Sequence, residues 1–115
     1  MSGWSIELEP EVEEWLQSLP PGEFATAAFQ LDRLGDRGSQ LRMPHSRSLG
    51  SGLVELRFDL GRSSWRITFF FPGEDRIVLL TVFRKQRMTE TAELERARRA
   101  MQRCIAERHT AGGDE

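Results

Sequence analysis

The chain contains no tyrosine, a single cysteine, Cys104, and only two histidines, His45 and His109, in 115 residues. One thiol excludes an internal disulfide, and together with two imidazoles it leaves no Cys/His set for a zinc centre. Cys104 falls among the apolar positions of an expected helix, so it reads as packing rather than as a nucleophile. Long apolar runs are missing as well. The longest, Ile67–Phe71 and Ile77–Phe83, are far below the roughly 20 residues that span a bilayer, and no basic stretch followed by an apolar one opens the chain. The expectation is a soluble, cytoplasmic protein without metal or other cofactor. It should form one domain over residues 1–109, with 110–115 as a frayed tail.

Several catalytic patterns are also absent. No nucleophile, histidine and acid stand in triad order, and no pair of carboxylates suggests a hydrolase. Gly50 and Gly52 lead into a strand-like run, whereas a phosphate-binding glycine loop opens a helix.

What is present is an uneven charge distribution beneath a net charge of −2. Residues 1–40 hold two arginines against eight Asp/Glu, a net of −6, while residues 41–88 hold nine Arg/Lys against four Asp/Glu, a net of +5. A cationic surface in mid-chain suits phosphates.

Hydrophobic periodicity places that surface on strands. Trp4, Ile6 and Leu8 alternate as a short strand before Pro10 opens a helix with Val12, Trp15, Leu16 and Leu19 on one face. After Pro20-Pro21-Gly22, Phe24, Ala27, Ala28, Leu31 and Leu34 define a second helix ending near Gly35. The two should form a helical hairpin whose acidic outer residues, Glu11, Glu13, Glu14, Glu23 and Asp32, read as a solvated face. Residues 35–53 read as a long loop of the kind that often carries function. Alternation then marks strands over Val54–Leu60, Trp65–Phe71 and Ile77–Phe83, the last apolar enough to be central. Thr89 is a suitable N-cap for a final helix with Leu94, Ala97, Met101, Cys104 and Ile105 on one side. The fold class is α+β: strand, two helices, a three-stranded antiparallel meander and a helix, with the helices mainly on one face of the sheet.

Strand parity groups the polar residues. With Val54, Leu56, Phe58 and Leu60 facing the helices, Glu55, Arg57 and Asp59 lie on the opposite face, joined there by Arg66, Thr68 and Phe70. Arg57 and Arg66 therefore converge, and one of Arg84 and Lys85 can point to the same surface. Such a set suits RNA cleavage in which a 2′-hydroxyl attacks the adjacent phosphate, because a guanidinium donates to two phosphoryl oxygens and stays charged. The proton acceptor is left open between His45, whose ordinary pKa of about 6.5 suits the task, and Lys85. Arg47, Arg84 and Arg87 complete the candidate substrate-binding set.

The ordered segments Leu49-Gly50-x-Gly52-Leu53-x-Glu55-Leu56-Arg57, Trp65-Arg66-Ile67-x-Phe69, Val78-Leu79-Leu80-x-x-Phe83-x-Lys85 and Thr89-x-x-Ala92-Glu93-Leu94-x-x-Ala97 resemble the phage-type HigB branch of the RelE/ParE toxin superfamily. The resemblance extends from Trp4 to about Arg99. It implies a type II toxin that cleaves messenger RNA, usually in the ribosomal A site, and is silenced by a cognate helix-turn-helix antitoxin. On this resemblance Arg57, Arg66 and Arg84-Lys85 match phosphate-binding and catalytic basic positions. The chain departs from its relatives in lacking the tyrosine several of them use near the end of the domain, in carrying Trp65 where tyrosine is common, and in its overall acidity. The alternatives are a ParE-like toxin directed at a protein such as gyrase, or a degenerate module retaining only antitoxin binding.

Overall fold

The computed structural model describes residues 3–86 and 90–113, with side chains described as far as Glu107. Strand β1 (Ser5–Leu8) leads into helices α1 (Pro10–Gln17) and α2 (Pro21–Arg37), each with a proline at its start where no amide hydrogen is needed. A short 3₁₀ turn at Gly38–Gln40 precedes β2 (Ser46–Gly50), β3 (Leu53–Leu60), β4 (Ser63–Gly73), β5 (Arg76–Arg84) and helix α3 (Thr91–Gly113). The five strands form one sheet in the order β1-β5-β4-β3-β2, with β1 parallel to β5 and every other pair antiparallel. The meander of β3, β4 and β5 is the one expected, with β5 lying between β1 and β4 and buried along nearly its whole length.

The two faces of the sheet carry separate cores. Leu56, Phe58, Leu60, Ile67, Phe69, Ile77, Leu79 and Val82 pack with Val12, Leu16, Ala27 and Leu34 of the helical hairpin. Leu53, Phe70, Val78 and Leu80 pack with Ala97, Ala100, Met101 and Cys104 of α3. The hairpin thus covers one face, as parity requires, so that two of the three helices lie together as expected, while α3 lies across the other face. Ile105 is 48% exposed, outside the buried stripe to which periodicity assigns it. α3 includes Thr110–Gly113, where composition favours a frayed tail, and Arg87 and Thr89 lie outside the described residues.

The long loop expected over residues 35–53 is the largest departure. Helix α2 continues through Gly35 to Arg37, and β2 adds an edge strand paired with β3. The strand escapes periodicity because Ser46, Arg47, Ser48 and Gly50 have no apolar alternation; backbone pairing to β3 makes it a strand. Gly38, buried at the end of α2 with φ +53°, marks the tightest packing of this segment. A Cβ there would collide with the Trp4 indole ring, so the α2 terminus is packed against the residue that leads into β1 and only glycine fits.

Candidate functional site

The antiparallel register of β3 and β4 sets Arg57 directly opposite Arg66, and Glu55, two residues along β3, opposite Thr68. On the flanking strands β2 and β5, Arg47 faces Glu55, Thr81 faces Thr68 and Phe83 faces Arg66. Like charges directly across a sheet destabilise it. The sheet nevertheless keeps two arginines in that position, one of them only 7% exposed.

Beside this pair lies a buried carboxylate. Glu55 is 2% exposed, its Oε1 accepts no hydrogen bond, and Arg66 Nε stands 3.7 Å away, so their contact is electrostatic rather than a formed bond. Burial pushes the Glu55 carboxyl above the usual carboxylate range; Arg66 opposes the shift, Glu90 reinforces it, and Arg57 and Arg47 oppose it more weakly. The neighbouring hydroxyls are satisfied internally, Thr68 Oγ1 and Thr81 Oγ1 lying 2.6 Å apart. Glu55 is therefore a desolvated acid whose charged form Arg66 and, more weakly, Arg57 and Arg47 favour. Sequence reasoning places it on this face but misses it as a candidate proton acceptor; a lone acid flanked by the apolar Val54 and Leu56 within a strand run is the available signal.

Arg57 and Arg66 also line a cleft of about 580 Å³ that opens around the edge of β3, where β2 is not yet paired, towards α2. His45, Pro44, Asp59, Ser64, Gln30 and Arg33 are also among its walls. The loop residue His45 is held in register by its carbonyl, which accepts the Arg57 amide hydrogen at 2.8 Å. Its ring Nδ1 lies 2.9 Å from Arg33 Nη2. Because a guanidinium only donates, Nδ1 must be the acceptor, and the proton of the neutral ring belongs to Nε2. His45 thus stands in the cleft as a hydrogen-bond donor, with its basic nitrogen already engaged. Asp59, the one acid in these walls, accepts a hydrogen bond from Ser64 Oγ at 2.8 Å.

The remaining candidates are more dispersed. Lys85 pairs with Glu90 at 2.8 Å, and Glu90 in turn acts on Glu55. Arg84 is exposed and stands opposite Trp65, on the face of the helical hairpin, away from Arg57 and Arg66. Arg47 is exposed on the edge strand, where it also lines a separate, mainly apolar cavity of about 330 Å³ with Met43, Val54, Phe69 and Phe71. Arg33 escapes the sequence reading, because helix periodicity alone gives no reason for an α2 residue to meet the loop before β2.

A five-stranded sheet with a helical hairpin on one face, a long helix on the other and a basic cleft at the sheet edge defines a RelE-like α+β protein. The structure is similar to that of E. coli toxin RelE, a double arginine-to-alanine mutant in the free state, with a TM-score of 0.57 and 12% identity over 88% of this chain and 97% of that one. Among curated proteins, none matches the sequence significantly. Residues 14–103 match the family of phage derived protein Gp49-like sequences (DUF891), and the chain belongs to that family.

Proposed function

We propose that this protein is the toxin of a toxin–antitoxin pair, of the HigB-like branch, and acts as a metal-independent endoribonuclease on messenger RNA at the ribosome. The observation that carries the reading is the direct opposition of Arg57 and Arg66 beside the buried, hydrogen-bond-deficient Glu55. The RelE-like fold and membership of a phage-derived family support it. A toxin of this class has a cognate antitoxin as its partner.

The donors present dictate the chemistry. A scissile phosphate between Arg57 and Arg66 would place its non-bridging oxygens against fixed positive charge, which gains most as the pentacoordinate transition state develops. The Glu55 carboxylate takes the proton of the attacking 2′-hydroxyl; its raised pKa makes it a stronger base than an exposed glutamate at neutral pH. The 2′-oxygen bonds to phosphorus, the bond to the 5′-oxygen breaks with the electron pair leaving on that oxygen, and solvent supplies the proton that completes the leaving hydroxyl. The products are a 2′,3′-cyclic phosphate and a 5′-hydroxyl. His45 donates through Nε2–H to the phosphate or its neighbour, the role its engaged Nδ1 leaves to it.

Purified protein added to ribosomes carrying a defined messenger, with new 5′ ends mapped, tests the reading. Wild type is expected to produce discrete ends that Arg66→Ala and Glu55→Gln do not. Absence of any cut by the wild type, together with inhibition of gyrase supercoiling, would replace the nuclease by a protein-directed toxin.

A further inference from the structure

Two of the three arginines in the cleft, Arg57 and Arg33, form no close ion pair among the described residues. In each the Nε is buried without a hydrogen-bond acceptor. The partners of Arg57 are poor: its Nη1 lies 3.9 Å from the Met43 sulfur. Those of Arg33 are neutral, namely Gln30 Oε1 at 2.5 Å, His45 Nδ1 at 2.9 Å and the face of Phe29 at 5.7 Å. A half-buried guanidinium surrounded by neutral groups keeps most of its desolvation penalty, which an incoming anion would relieve. Arg33 belongs to the helix wall of the cleft and Arg57 and Arg66 to the sheet wall, so the positive charge occupies both sides.

We propose that Arg33, oriented by Gln30 and His45, forms a second phosphate subsite, and that the cleft binds a single-stranded nucleic acid through two phosphates: the scissile one on Arg57 and Arg66, and a neighbouring one on Arg33. The proposal rests on the nuclease reading and names the part of the substrate that lies outside the bond being cut. The cleft volume falls within the range of sites that enclose a small ligand of this kind. Arg33 is a positioning residue: it touches the strand one phosphate away from the reaction, and through Nδ1 it fixes the tautomer of His45. Asp59 and Gln30 also line the cleft and offer polar groups to the sugar or base of the strand.

The test uses 2′-deoxy dinucleotides, which lack the attacking hydroxyl and so report binding alone. Each is measured with and without an added terminal phosphate, at the 5′ or the 3′ end, by titration against the full-length protein over a range of salt. Wild type is expected to gain about tenfold in affinity from one of the two terminal phosphates, the scale of a charge-assisted hydrogen bond. Arg33→Gln should lose that gain, so that its affinities for the two probes become alike, and for the phosphorylated probe its log affinity against log salt should flatten by about 0.7. Arg33→Lys, which keeps the charge without the fork, should retain the steeper slope and a smaller gain. An equal gain in wild type and Arg33→Gln overturns the subsite. So does equal weakening of both probes, which would make Arg33 a mere prop for the loop, or loss of the slope in Arg33→Lys. An Arg33-dependent response to inorganic phosphate with none to the dinucleotide also overturns it. Failure of the nuclease reading is distinguishable, because the ribosomal assay would then be blank while the phosphate-dependent gain persisted.

Discussion

Arg66 combines two demands that ordinarily conflict, since it is nearly buried and yet faces another arginine across the strand pair. Its Nη1 donates to the Trp65 carbonyl at 3.1 Å, with Glu55 just beyond bonding distance of its Nε. Arg66→Ala is expected to lower single-turnover cleavage on the order of 10²–10³-fold, the usual effect of removing one preorganised donor. Arg66→Lys should restore charge but little rate, because an ammonium cannot grip two phosphoryl oxygens in a plane. Equal rates for wild type and Arg66→Ala would end the assignment. Glu55 makes a separate, thermodynamic prediction. Its folded-state pKa is raised above the usual value of 4.5 by burial, so its contribution to stability is fully present below the unfolded pKa and is lost as pH rises through the folded one. Glu55→Gln cannot ionise, and its denaturation midpoint relative to wild type should therefore improve steadily as pH is raised from about 4 to about 7. A difference independent of pH would show that the carboxyl is not held away from its ordinary range. His45→Gln should retain more activity than His45→Ala, since a Gln amide can replace the Nε2–H donor. Were the imidazole the base, Gln would rescue nothing, so the two variants decide between those roles.

At the scale of elements, parity in β3 and β4 is enough to bring Arg57 and Arg66 onto one face, because alternation is fixed by backbone geometry and both runs have unbroken apolar partners. The edge strand β2 and the contact of Arg33 with His45 are not legible in the same way. Both depend on pairings between segments that are separated in sequence and carry no periodic signal of their own. The same holds for Glu11, which reads from the sequence as one of several solvated acids. Strand β1 pairs with β5 only as far as Leu79, and beyond it the Glu11 carboxylate takes over as partner, accepting the Val82 amide hydrogen at 2.9 Å. Arg96 of α3 closes the arrangement by bonding Glu11, Glu93 and the Val82 carbonyl. Burial works against the charge of Arg96, but its hydrogen bonds to Glu11 and Glu93 hold its pKa above the usual value. This clasp joins helices from opposite faces across an otherwise open strand edge. Glu11→Ala is expected to destabilise the fold by about 1–3 kcal/mol, the range for leaving a buried donor without its acceptor, as read from urea midpoints. Glu13→Ala, on the same helix but exposed, should change little. Similar small effects from both would return Glu11 to the solvated face.

Over the whole molecule, the charge of −6 in residues 1–40 resides on β1 and the helical hairpin, while the net +5 of residues 41–88 is carried on β2 to β5 and their connections. The molecule therefore presents an acidic helical side and a basic cleft, and the modest net charge of −2 hides both. The cleft is suited to a polyanion. The hairpin is suited to a basic protein surface, and a cognate antitoxin is the partner that a toxin of this fold would meet. Because Glu11 belongs to the clasp, the acids available for docking are Glu13, Glu14 and Glu23, all exposed and without an ion pair among the described residues. Reversing these three to lysine is expected to slow association with the antitoxin at low salt, with a smaller effect on dissociation, because exposed charges act mainly by steering the encounter. The difference should shrink as salt is raised and the Debye length falls to about 8 Å near physiological ionic strength. The same triple variant should cleave RNA at the wild-type rate and unfold at an unchanged midpoint, since none of the three side chains touches the cleft or the clasp. Stopped-flow association measured across salt concentrations checks the steering. An association rate that matches wild type at the lowest salt would place the antitoxin elsewhere on the surface, with the exposed basic residues of the sheet edge as the next surface to probe.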